Sequence, residues 1–117
     1  MLADWRRPFQ VWNYTVSHST LLLRSVHVEG FDTRIDVAFA NVGLMLLRSS
    51  YNSLSVFKAD EAEKEELAAH QPVELDGMSL FLLNDRTSYV LAANCAWHED
   101  HGDHHTPSRF GPLRGTE

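Results

Sequence analysis

Little in this chain invites redox or covalent chemistry. Its 117 residues include one cysteine, Cys95, so no intramolecular disulfide can form, and the apolar run around it suits a thiol buried as a small hydrophobe. The six glycines are scattered, and none makes the strand-to-helix cradle that a nucleotide phosphate needs. Ten Lys and Arg stand against sixteen Asp and Glu, a net charge of −6, which argues against the clustered basic surface that nucleic-acid backbones require. No apolar run approaches the roughly 18 residues of a membrane span, the longest (42–47) being broken by Gly43 and followed by Arg48. Residues 1–7 hold two arginines without an apolar stretch behind them or a small-residue cleavage site, so the expected location is the cytoplasm.

What the chain does hold is β-pattern. Hydrophobic residues make up 44% and charged residues 22%, ordinary values for one globular domain of this length. From Phe9 to Val28 two apolar runs flank a polar break at 17–20, the pattern of a β-hairpin with apolar bulk on both faces, which cannot stand alone in water. Strict alternation places Trp12, Tyr14 and Val16 on one face and Phe9 and Val11 on the other. The run 34–39 alternates Ile35, Val37 and Phe39 with Arg34, Asp36 and Ala38, which predicts a strand near an edge with one face open to water. Residues 44–47 are apolar on both faces, which predicts a central strand. Further strands are expected at 54–57, 73–75 and 78–83, and one long strand at 89–97. A single helix is expected between Ala59 and His70, with Asp60 as N-cap, Glu63 completing a capping box, and Pro72 beyond its end. Its glutamates read first as a solvated face complementing the helix dipole and second as a docking surface for a basic protein partner.

These patterns predict a mainly β protein, an antiparallel β-sandwich or partly open barrel with one short helix. The alternative is an α+β arrangement with the helix covering an antiparallel sheet. Residues 1–99 form the single expected domain and 100–117 a flexible His/Asp/Pro/Gly tail, with Phe110 as its anchor. The opening residues Phe9, Trp12, Tyr14, Val16, Ser17 and His18, followed by 21–25, resemble small uncharacterised bacterial proteins in which an aromatic strand runs through a Val-Ser-His turn into a Leu-Leu-Arg-Ser strand. That resemblance implies a compact domain of the bacterial cytoplasm and assigns no activity.

Candidate sites are sparse. His98, His101 and His105, with the carboxylates among them, are ligand types that Zn²⁺ or Ni²⁺ accept, but their spacing matches no established zinc motif. Adventitious chelation is the commoner fate of such a tract, and no cofactor is expected. His18 lies between two serines in the first turn, and neighbours in sequence do not make a nucleophile and base. Arg48 and Tyr51, with Asn52 and the nearby serines, are recognition residues when a rigid scaffold displays them, and equally ordinary turn formers. Trp12, Tyr14 and Trp97 would line an aromatic cavity if the fold gathered them. The leading functional expectation is a non-catalytic binding or interaction module; the alternatives are a metal-dependent protein or small enzyme using the histidines, and a small-ligand binder with an aromatic cavity. The surplus of strands apolar on both faces predicts a homodimer.

Overall fold

The computed structural model describes residues 1–71, 73–84, 86–102 and 110. Among these residues ten strands form two antiparallel five-stranded sheets packed face to face: β1 Ala3–Trp5, β2 Phe9–Thr15, β3 Thr20–Ser25, β4 Arg34–Ala40, β5 Leu44–Leu46, β6 Ser50–Tyr51, β7 Leu54–Lys58, β8 Ser79–Leu83, β9 Ser88–Ala92 and β10 Asn94–Asp100. Sheet I runs β1-β7-β8-β9-β5 and sheet II runs β10-β4-β3-β2-β6. The architecture is the expected sandwich and not a closed barrel. Its core is a layer of fully buried inner-face residues from both sheets, among them Phe9, Leu21, Leu23, Val37 and Phe39 facing Leu54, Val56, Leu83 and Val90. This is the interdigitation that two stacked sheets require.

The opening hairpin forms, with one departure from strict alternation. The β2–β3 register shifts between Val11 and Asn13, so an extra residue is inserted at Trp12. Phe9, Val11 and Tyr14 therefore pack on the inner core, whereas Trp12 packs on the outer face against Leu22 and Ala38. Trp12 and Tyr14 do not share a face. The helix α1, Glu61–His70, begins with the capping box that its sequence announces: Glu63 N–H donates to Asp60 Oδ1 at 2.8 Å, and Asp60 N–H donates to Glu63 Oε1.

Other strand expectations need correction. The 89–97 run is two strands, because the chain leaves sheet I at Ala93 and enters sheet II as β10. The strand at 34–40 lies between β10 and β3, inside sheet II, and both its faces are buried. Its polar residues are paired across the sheet, so alternation of apolar and charged residues did not mean alternation of core and water. The apolar strand β5 is instead an edge of sheet I. Residues 73–75 carry no strand, and the polar stretch 49–53, where no strand is expected, contains β6, which pairs with β2. Residues before the opening hairpin form a strand as well: β1 pairs with β7 and sends Trp5 onto Phe9 and Trp97.

Both outer faces are covered by this one chain. On sheet I, Leu80, Leu82 and Leu91 lie beneath Leu67 of α1 and Val73, Leu75 and Met78 of the loop that follows. On sheet II, Phe110 seats on Leu22 and Ala38 beside Trp12. β10 continues through Asp100, and residues 103–109 and 111–117 of the expected tail lie outside the described residues.

Candidate functional site

At one end of the sandwich the β5–β6 connection, the β6–β7 turn and the β8–β9 turn enclose a polar cleft of about 520 Å³, lined by Arg48, Ser50, Asn52, Ser53, Ser55, Asn84 and Thr87 around Tyr51. Its floor is rigid for a reason visible in the bonding. The Tyr51 ring is buried in the core, 6% exposed, while its hydroxyl donates to Ser88 Oγ at 2.7 Å and accepts the Arg48 backbone N–H at 2.9 Å. Asn84 takes a left-handed backbone conformation, φ 55°, which asparagine tolerates better than most residues. From there its Oδ1 accepts the Ser55 N–H at 2.8 Å and its Nδ2 donates to the Ser53 carbonyl at 3.0 Å. The β6–β7 connection, which passes between the sheets, and the turn of the β8–β9 hairpin are thereby tied into one wall.

The other wall, Arg48 to Ser53, is exposed except at Tyr51. Six arginines lie among the described residues. Arg6, Arg7, Arg24, Arg34 and Arg86 each have a carboxylate within 4.0 Å. No described carboxylate pairs with Arg48, and no carboxylate is among the described lining residues. Among the described residues Asp4 is tied to the cleft through Ser55: it accepts the Ser55 hydroxyl at 2.6 Å and faces Arg6 at 3.8 Å.

Of the residues singled out by sequence, Arg48 and Tyr51 meet in this cleft together with Asn52, and the others lie apart. Trp12 is on the outer face of sheet II with the Arg24 guanidinium 4.8 Å from its ring centre. Tyr14 is half-buried against the inner core. Trp97 stands at the lateral edge, edge-on to Trp5 at 5.5 Å and 42% exposed. With Trp12 on the opposite side of sheet II from Tyr14, the three aromatic residues do not line a common cavity. His18 sits in the exposed β2–β3 turn, where its Nδ1 lies 3.1 Å from Ser17 Oγ. His98 Nε2 is 3.9 Å from Asp100, His101 is exposed, and His105 lies outside the described residues. Among the described residues no three His, Cys, Asp or Glu gather to hold a metal ion. Burial pushes the Cys95 thiol up to about 12, far from the thiolate that nucleophilic chemistry needs.

Sequence reasoning did not find Asn84 and Thr87, whose only signal was their place in a hairpin turn. It also missed the buried ionic layer on sheet II. There Arg24 donates to Asp36 at 2.6 and 3.1 Å, and Arg34 donates to Asp100 at 3.0 and 2.8 Å. Nearby, Arg7 donates to Ser25 Oγ and to the Thr33 hydroxyl and carbonyl beneath the Phe31 ring; desolvation lowers its pKa although Glu99 and Asp32 oppose this. Comparison with protein-family models, curated proteins and solved structures finds no match to this chain. The functional reading accordingly rests on the site.

Proposed function

We propose that the protein is a non-catalytic binding module of the bacterial cytoplasm and that the end cleft is its ligand site. One observation carries this: the cleft sets uncommitted polar side chains, Arg48, Ser50, Asn52 and Ser53, against a wall locked by Tyr51, Ser88 and Asn84. Display of adaptable groups on a fixed scaffold is what a recognition site requires. The polar groups that hold the wall are spent on the fold, so ligand contact falls to the segment 48–53. An NMR titration of the ¹⁵N-labelled protein with phosphate, acetate, glucose and urea tests the reading. Saturable shifts confined to residues 48–55, 84 and 87 for at least one of them are expected; absence of a saturable response to all four would remove the cleft as a site.

A homodimer is a second reading, favoured by one strand. β5 is an edge strand without a charged residue, and it leaves Met45 37% and Leu46 53% exposed, whereas the edges β1 and β10 carry Asp4, Glu99 and Asp100. Charge on an edge opposes strand addition and its absence permits it. Sedimentation equilibrium at micromolar concentration should give about twice the 13.3 kDa chain mass, reverting to one chain in Leu46→Lys. A mass of 13.3 kDa without concentration dependence in the unaltered protein would end this reading.

A further inference from the structure

Five of the six described arginines have a carboxylate within 4.0 Å, and the sixth is the one placed in the cleft. We infer that Arg48 is the anchor of an oxyanion site, taking the phosphate or carboxylate group of a small ligand with Ser50, Asn52 and Ser53 as its neutral donors. The inference rests on the binding reading above and names the chemistry of that site. A guanidinium presents a rigid fork of N–H donors matched to two oxygens of a carboxylate or phosphate, and hydroxyl and amide groups add donors without adding charge.

Three features of the cleft favour an anion over a neutral ligand. The Arg48 backbone is fixed through its N–H to Tyr51 Oη, so the base of the side chain is held while its head remains free of any described carboxylate. Among the described lining residues there is no acid to repel the ligand, in a chain that has sixteen acidic residues against ten basic ones. Asp4, the acid bound to the lining residue Ser55, is itself shared with Arg6. A cleft of about 520 Å³ would accept a ligand considerably larger than the anion itself, so the oxyanion is read as one end of the ligand.

The test uses the full chain and two probes, inorganic phosphate and acetate, titrated at constant ionic strength and followed by ¹H–¹⁵N shifts, with glucose as the uncharged comparison. Saturable shifts at 48–53 with phosphate or acetate are expected, the stronger of the two identifying the group. Arg48→Gln should weaken that response at least tenfold while leaving the remainder of the spectrum in place, and Ser50→Ala should weaken it less. Equal binding by the wild-type and Arg48→Gln proteins would overturn the inference, as would saturation by glucose alone. Glucose binding in the cleft would leave the binding reading standing without its anion; no response to phosphate, acetate, glucose or urea would remove both.

Discussion

On the outer face of sheet I, Leu80, Leu82 and Leu91 lie under a helix and a loop that contribute Leu67, Val73, Leu75 and Met78. On the outer face of sheet II the corresponding buried layer contains Arg24, Arg34 and Asp36, each 2% exposed or less. The first face is covered by oil on oil, which is non-directional and tolerates a thin lid such as α1, a helix with no fully buried residue. The second is covered by charges that must meet particular partners. Arg24 is directly opposite Asp36, and Arg34 directly opposite Asp100, so each pair closes only in the native register. A one-residue slip of β3 or β10 against β4 would strand ions in a dry layer. Burial therefore has two origins in this molecule: apolar area on one side, and complementarity of charge and register on the other.

The sharpest break of this comparison is Asp36→Ala. It leaves Arg24 buried without its bidentate partner, and removal of one member of a buried pair costs about 3–5 kcal/mol, read as a fall in the urea midpoint. The double replacement Arg24→Met with Asp36→Leu turns this part of sheet II into a copy of sheet I and should recover most of that loss. If it does not, the pair stabilises the face and does more than select its register. On sheet I, Leu91→Ala should cost about 2–4 kcal/mol, since a fully buried leucine loses both transfer energy and packing. A loss below about 1 kcal/mol would mean that α1 settles into the space and that this face is softer than its burial implies.

How much of this was legible depended on whether the signal was local. The capping box at Asp60 and Glu63 and the hairpin around residues 17–20 are set by neighbouring residues, and they were readable. The position of a strand within its sheet was not. Arg34 and Asp36 look solvated until β10 and β3 are beside them, because Asp100 lies 66 residues from Arg34. The bulge at Trp12 is equally silent, as one inserted residue changes the face of everything before it relative to everything after. Arg48 and Tyr51 stood close in the sequence as candidates for recognition or for an ordinary turn, whereas Asn84 and Thr87 reached the cleft only through the pairing of β8 with β9.

A smaller effect tests how closely the tail-side cover is fitted. Gly102 rests on the Arg34 guanidinium, and a Cβ built there would stand 2.5 Å from Arg34 Cζ. Because that guanidinium is held by Asp100 it cannot swing away freely, so Gly102→Ala should destabilise by about 1–3 kcal/mol, the usual range for overpacking. Gly77→Ala, on the loop beside sheet I, meets nothing within 4 Å, so any loss there reports only its backbone angle, φ 73°. Equal stability of Gly102→Ala and the wild type would show that residues 100–102 lift from Arg34 without cost.

The gentlest probe is pH, which can separate the two faces because no carboxyl is among the described residues of the apolar layer on sheet I. Hydrogen bonds from Arg34 hold the Asp100 carboxyl below its ordinary value of 3.8, with the Gly102 N–H and the charges of Arg34 and His98 adding to them and partial burial opposing. A carboxyl whose pKa is lower folded than unfolded binds more protons in the unfolded chain as the pH falls through that interval. Its contribution to stability is thus complete above the unfolded value and is lost as the pH drops through the folded one. The urea midpoint should therefore decline below about pH 4. Asp100→Asn, which keeps the shape but cannot ionise, should start lower at pH 7 and decline less steeply, whereas Leu91→Ala should start lower and keep the wild-type slope. Superimposable acid limbs for Asp100→Asn and wild type would show that Asp100 is not titrating against Arg34, and that the cover of sheet II is held by Phe110 and Gly102 instead.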